Sequence, residues 1–230
     1  MPKHEFDAYH DKYVKTVEDS IGFSGLDHSF FQISKTNKLA DLVARHFGKD
    51  ARPRLLDVGC GIGALHPYIA SLFSSIHGVD ISHSSIAEAK TANSAHDYKV
   101  YDGQHLPFSD NTFDMTLAVC VMHHVPPSEW ENFLAEKARV VRPGGLVCLI
   151  EHNPLNPATR LSVARCPFDK DAVLLGAREM RRRLEAAQLA SVFSEHFVFF
   201  PTHRSPLRQI ERSLGWLPLG AQYLAVGEKA

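Results

Sequence analysis

The residues best suited to chemistry lie in a glycine-rich loop that follows a short apolar segment. Gly59, Gly61 and Gly63 alternate directly after residues 54–58, which are predicted to form a strand. Because glycine has no side chain, the backbone of such a loop can approach a bulky ligand closely. Asp80 follows about twenty residues later, at the end of a second predicted strand, where it suits two ribose hydroxyls. These residues predict a nucleoside-binding site.

Asp57 helps to distinguish between two classes of ligand that bind to glycine loops of this kind. Gly59, Gly61 and Ala64 also satisfy the dinucleotide spacing, so the glycines alone leave NAD open. A carboxylate just before the first glycine suits a cationic amino-acid tail better than a pyrophosphate, which favours S-adenosylmethionine. The sequence also has no Tyr-x-x-x-Lys pair, which argues further against a nicotinamide-dependent oxidoreductase.

Composition excludes several other classes of protein. At 230 residues, with 44% hydrophobic and 22% charged, the chain suits a single globular domain and not a disordered or disulfide-scaffold protein. No apolar stretch approaches the roughly 18 to 20 residues of a membrane span, and no secretory signal is visible, so we expect a cytoplasmic protein. A net charge of −1 argues against nucleic acid as a partner. The histidines and cysteines show no metal-ligand spacing, so no metal site is predicted.

The hydrophobic pattern predicts strands that alternate with helices. The predicted helices of the alternating region cover residues 64–73, 84–94, 128–140, 176–189 and 205–214. The predicted strands cover residues 54–58, 75–79, 98–101, 113–121, 146–151, 192–200 and 222–226. This alternation predicts an α/β fold with a doubly wound, mostly parallel seven-stranded sheet, whose site lies in the loops after strands one, two, four and five.

The first 50 residues show no strand and form a predicted N-terminal helical lid, followed by one compact domain over residues 51–230. Aromatic side chains recur on helical patterns there, and we expect Tyr9 or Tyr13 to face the ligand. The aromatic residues of this segment include Phe6, Tyr9, Tyr13, Phe23, Phe30 and Phe31.

Several stretches occur in the order typical of one enzyme family. Residues 57–63, Asp-Val-Gly-Cys-Gly-Ile-Gly, resemble motif I of the class I S-adenosylmethionine-dependent methyltransferases. Residues 101–108, 113–114, 121–125 and 138–145 resemble later motifs of the subgroup that acts mainly on small molecules. The resemblance implies a Rossmann-like fold and S-adenosylmethionine as cofactor. The predicted cofactor-binding residues are Asp57, Gly59, Cys60, Gly61, Gly63, Asp80, Ile81, Asp102, Gly103 and Cys120.

The family's chemistry is an in-line displacement on an activated methyl group, so alignment is the main requirement and no metal or covalent intermediate is needed. A hydroxyl acceptor would benefit from a general base, for which His124, His152 and Glu151 are the candidates. Methylation of RNA or protein, and a non-catalytic cofactor-binding partner subunit, stay open as alternatives.

The segment after the fifth predicted strand is expected to form one wall of the acceptor site. Residues 151–171 make a long connection, and long connections in compact domains are usually functional. Arg160 and Arg165 are candidates to hold an acidic group of the acceptor.

Overall fold

The computed structural model describes residues 13–202 and 205–230. The described helices are α1 (Tyr13–Ile21), α2 (His28–His46), α3 (His66–Ile69), α4 (His83–Ala92), α5 (Trp130–Val140), α6 (Pro157–Arg165), α7 (Ala177–Ala186) and α8 (Ser205–Ser213). The strands are β1 (Arg54–Val58), β2 (Ser75–Asp80), β3 (Asp97–Val100), β4 (Phe113–Val119), β5 (Val141–His152), β6 (Leu189–Phe197) and β7 (Gln222–Lys229).

The strands form a seven-stranded sheet in the order β3-β2-β1-β4-β5-β7-β6. Strands β1 to β5 are parallel, while β7 runs antiparallel to both β5 and β6. The chain reverses its direction of sheet growth between β1 and β4, which opens a crevice at the carboxyl ends of these strands. The predicted doubly wound, mostly parallel sheet is confirmed.

Each face of the sheet is covered by helices. Helices α5 and α7 bury residues such as Leu134 and Met180 on one face. Helices α2 and α3 bury Leu39, Leu42 and Ile69 on the other. The later turns of α2 are therefore part of the domain core, although they fall within the predicted lid of residues 1–50.

The predicted long connection of residues 151–171 contains a helix that the sequence analysis missed. Asn156 caps the N-terminus of α6, because its side chain accepts a hydrogen bond from the backbone N–H of Thr159 at 3.0 Å, and Pro157 is the first residue of the helix. Only a few apolar residues lie along α6, so the spacing of its apolar residues gives only a weak helical signal in the sequence. The described residues include no helix long and apolar enough to cross a membrane.

One lysine lies inside the core. Lys137 on α5 is 0% exposed, and its Nζ has no hydrogen-bond partner among the described residues. The Phe133 ring lies 5.7 Å from this nitrogen. Burial lowers the pKa of Lys137 to about 7, because the charged ammonium loses its hydration.

This burial predicts a pH-dependent stability. Between pH 7 and 10.5 the unfolded chain holds the Lys137 proton and the folded chain does not, so the free energy of unfolding rises with pH. Lys137→Met should flatten this rise and stabilise the protein at pH 7 by about 1–3 kcal/mol. Chemical denaturation over this pH range measures both effects, with the exposed Lys90→Met as matched control. An unchanged slope in Lys137→Met would contradict the assignment.

Candidate active site

A cavity of about 830 Å³ opens at the carboxyl ends of β1, β2, β4 and β5. The cavity lies at the reversal of strand order, where doubly wound sheets bind their ligands. The structure brings nine of the ten predicted cofactor-binding residues to its wall: Asp57, Gly59, Cys60, Gly61, Asp80, Ile81, Asp102, Gly103 and Cys120.

Gly61 and Gly63 have different roles in the glycine loop. Gly61 has a φ of 53°, and an added Cβ would meet nothing within 4 Å, so its backbone faces open space. Gly63 does not line the cavity. An added Cβ there would lie 2.9 Å from both the Asn93 Nδ2 and the Tyr98 Oη, so Gly63 serves packing beneath the loop.

Asp80 joins the glycine loop to the start of α4. Its carboxylate oxygens accept hydrogen bonds from the backbone N–H groups of Gly61 at 2.8 Å and Ser82 at 2.9 Å. Burial raises the pKa of Asp80, although these backbone donors oppose the shift. The carboxylate is thus fixed at the edge of the cavity.

Asp57 is buried at the floor of the cavity with one oxygen engaged. Its Oδ2 lies 3.0 Å from the Nε2 of His66, whose Nδ1 lies 2.5 Å from the Tyr98 Oη. The other oxygen, Oδ1, is buried and has no hydrogen-bond partner among the described residues. A buried acceptor of this kind is costly unless a ligand supplies a donor.

The loops after β3 and β4 complete the wall opposite the glycine loop. Asp102 accepts hydrogen bonds from the backbone N–H groups of Gln104 and His105, both at 2.8 Å, which fix its turn. Cys120 adopts a left-handed φ of 56°, which is rare for a side-chain-bearing residue. Burial raises the pKa of the Cys120 thiol to about 11, so the thiol stays protonated at neutral pH.

A cluster of charged side chains lies beyond Cys120. The Oε1 of Glu151 accepts hydrogen bonds from the backbone N–H groups of Val121 (3.1 Å) and Met122 (2.8 Å), and its Oε2 lies 2.5 Å from the His123 Nδ1. Burial disfavours the charged forms of both groups. Their mutual attraction outweighs it, so the pKa of His123 is raised and that of Glu151 is lowered.

The three candidate bases differ in their access to the cavity. His124 and His152 line it, whereas Glu151 does not and is 2% exposed. Burial and the neighbouring His123 lower the pKa of His124 and of His152 to about 4. Glu151 is therefore placed to position His123 and the loop after β4.

Residues before β1 line one side of the cavity. Ile21, Phe23 and Phe31 line it, whereas Phe30 packs into the core. Tyr9 lies outside the described residues, and Tyr13 is described only by its place at the start of α1, so the prediction for these two tyrosines stays untested.

Lys35 on α2 is a cavity residue that the sequence analysis missed. It lines the cavity and is 9% exposed, and its ammonium forms no ion pair or hydrogen bond with any described residue. A lysine within a helical pattern carries no signal in the sequence that distinguishes it from a surface lysine. The position of Lys35 in the cavity wall follows from how α2 packs on the sheet.

The structure does not support the prediction that Arg160 and Arg165 bind the acceptor. Both are exposed and neither lines the cavity, because α6 turns other residues inward. The Arg165 guanidinium lies over the Phe23 ring, with 5.1 Å between its carbon and the ring centroid. The inward face of α6 contributes Ala158, Thr159, Ser162 and Val163 to the cavity wall.

Comparison with known proteins agrees with this geometry. Residues 56–149 match the family model described as a methyltransferase domain. The matched residues contain the glycine loop and strands β2 to β4, so this part of the chain is similar to a methyltransferase domain. The chain is similar to the ubiquinone biosynthesis O-methyltransferase of Rhizobium rhizogenes, with 34% identity over 136 residues, which is 54% of each protein. The chain thus spans about half the length of the curated relatives it matches.

Solved structures of proteins with different activities share the fold of this chain. A chain from the complex between the Haloferax volcanii Trm112 methyltransferase activator and its methyltransferase partner has a TM-score of 0.64 and 21% identity, covering 98% of this chain and 97% of that one. The cyclase SpnF has a TM-score of 0.59 and 22% identity, covering 84% of this chain and 80% of that one. Because a cyclase shares it, the fold alone does not specify the reaction.

Close packing of the glycine loop against the loop after β4 predicts that substitutions of Gly59 and Val121 are energetically coupled. A Cβ on Gly59 would lie 2.5 Å from the Val121 Cγ2, at a φ of +79°. Gly59→Ala should lower the free energy of unfolding by about 1–3 kcal/mol, and Val121→Ala in that background should recover at least about 0.5 kcal/mol. Denaturation of the double-mutant set measures this coupling.

Gly48→Ala is the matched control, because Gly48 also has a positive φ but an added Cβ would meet nothing within 4 Å. This variant should show the backbone cost alone, with no rescue by Val121→Ala. Strictly additive effects of Gly59→Ala and Val121→Ala would contradict the proposed overlap.

Proposed function

We propose that this protein transfers the methyl group of S-adenosylmethionine to a hydroxyl of a small-molecule acceptor. The observation that carries the proposal is the cavity, whose wall includes Gly61, Asp80 and Asp57, a residue with one buried oxygen that has no partner among the described residues. The similarity to an O-methyltransferase named for ubiquinone biosynthesis supports a small acceptor and a hydroxyl as the methylated group.

The residues present fit S-adenosylmethionine. The open backbone at Gly61 leaves room for a bulky group, and the buried Asp57 Oδ1 needs a donor that an ammonium would provide. Asp80 is suited to the ribose hydroxyls and Asp102 to the adenine amino group. When bound, the cofactor supplies a methyl group on a positively charged sulfur.

The remaining wall of the cavity is suited to an acceptor. The imidazoles of His124 and His152 line it and are the proposed sites for the proton of an acceptor hydroxyl. Residues from α1, α2 and α6 line the same cavity and would help to exclude water when ligands are bound. A cavity of about 830 Å³ matches the size of small-molecule sites rather than a macromolecular groove.

The choice of cofactor predicts a binding pattern. S-adenosylmethionine and S-adenosylhomocysteine should both bind in calorimetric titration, and NADH should not. Asp80→Ala should weaken both by at least about tenfold, because a charge-assisted hydrogen bond contributes about 1.5–3 kcal/mol. Asp50→Ala, on an exposed carboxylate, is the control and should bind normally. Binding of NADH instead of the two nucleosides would refute the proposal.

The position and charge of Lys35 predict that it binds the carboxylate at the amino-acid end of the cofactor. The Lys35 residue is 9% exposed, and its ammonium has no carboxylate partner among the described residues, so a bound carboxylate would balance its charge. Lys35→Met should weaken S-adenosylhomocysteine by about tenfold or more. 5′-Methylthioadenosine lacks the carboxylate and should bind both proteins equally. Equal losses for the two ligands, or none for either, would contradict this role.

A further inference from the structure

Three side chains that face the cavity bring their ligand atoms together. The Nε2 atoms of His123 and His124 each lie 3.4 Å from the Oδ1 of Asp169. One possible ligand atom from each of the three residues lies within 4.8 Å of the other two. All three residues line the cavity. We call these residues the His-His-Asp cluster.

The orientation of His123 suits a ligand of a cation. Its Nδ1 faces the Oε2 of Glu151 at 2.5 Å, so a neutral ring donates from Nδ1 and keeps its lone pair on Nε2. That Nε2 belongs to a side chain that is 1% exposed, and its contact with the Asp169 Oδ1 at 3.4 Å does not have hydrogen-bond geometry. Metal-bound histidines commonly donate their other N–H to a carboxylate in this way.

The charge around the cluster also suits a cation. Two carboxylates, Glu151 and Asp169, flank the two imidazoles, and all four groups are largely shielded from solvent. With neutral imidazoles this group carries two negative charges in a poorly hydrated place, which is costly. A protonated His123 would offset one of them, and a divalent ion at the cluster would offset both.

The distances within the cluster match a shared ion. Two ligand atoms at about 2.1 Å from a tetrahedral zinc ion lie about 3.4 Å apart. This is the separation between Asp169 Oδ1 and each imidazole nitrogen. Imidazole ligands select zinc, iron, nickel or copper over magnesium and calcium.

We propose that His123, His124 and Asp169 bind a divalent transition-metal ion of the zinc type at the acceptor end of the cavity. Glu151 is the positioning residue that orients His123. Three protein ligands leave at least one coordination position for a water or an acceptor oxygen. If the proposed methyl transfer is correct, such an ion would hold the acceptor hydroxyl and lower its pKa. Because the ion would then occupy the Nε2 of His124, the hydroxyl proton would go to His152, which lines the cavity and is not a ligand. The proposed role of the ion in catalysis rests on that function.

The sequence gives no motif for this cluster. Two ligands are adjacent in the loop after β4, and the third follows α6, far along the chain. The pair His123–His124 alone has none of the fixed spacings of known metal motifs. The cluster forms because the segment after α6 returns to the loop after β4, where the Val173 backbone N–H donates to the His123 carbonyl at 2.8 Å.

Cobalt binding by the full-length protein, after removal of metal with a chelator, tests the proposal. Co²⁺ should give visible absorption bands of a low-coordinate site with one equivalent bound, and Zn²⁺ should displace it. His124→Ala and Asp169→Asn should each weaken Co²⁺ binding by at least about tenfold, and Glu151→Gln by about 10- to 100-fold. His105→Ala, which removes an exposed histidine, should bind Co²⁺ like the unmodified protein.

S-adenosylhomocysteine titration of the same samples separates this inference from the proposed function and shows whether each variant is folded. Variants that bind S-adenosylhomocysteine normally and have lost Co²⁺ would support the ion site. Absence of the absorption bands, or equal Co²⁺ affinity in Asp169→Asn and in the unmodified protein, would overturn it. Co²⁺ binding without S-adenosylhomocysteine binding would support the ion site and refute the methyl-transfer proposal.

Discussion

The buried carboxylate of Glu151 joins the end of β5 to the loop after β4, and both border the cavity. It stands near the end of β5 and holds the loop after β4 through the backbone N–H groups of Val121 and Met122 and the ring of His123. Removing one partner of such a buried pair typically costs about 3–5 kcal/mol. Because His123 faces Asp169, the same carboxylate also sets the segment after α6 against the cavity. The part of the cavity proposed to bind the acceptor therefore depends on Glu151, even though Glu151 does not line the cavity.

The part of the cavity proposed to bind the nucleoside depends on backbone conformation rather than on charge pairing. Gly59 and Gly61 adopt positive φ values, and Cys120 does so with a side chain. These residues lie just beyond the ends of β1 and β4, where the reversal of strand order leaves a crevice. The loops turn sharply away there and leave open the space into which Asp57 and Asp80 face. Strain at Cys120 is tolerated because its backbone N–H is fixed by the Ile150 carbonyl at 2.8 Å.

Much of the fold was predictable because its signals are local. All seven strands and the glycine loop follow from apolar runs and glycine spacing, and nine predicted cofactor residues reach one cavity. Helix α6 was missed because its weak apolar pattern hides it. Lys35 and Asp169 were missed because their roles arise from packing between distant segments. The outward direction of Arg160 and Arg165 likewise depends on how α6 docks, which residue type and spacing do not determine.

The most direct test of this account is a crystal structure of the protein with S-adenosylhomocysteine bound. The adenosine should lie between Gly61, Asp80 and Asp102, with the amino group near Asp57 and the sulfur facing the wall that contains His124 and His152. A ligand bound outside this cavity, or one whose sulfur faces away from the histidines, would contradict the proposed function.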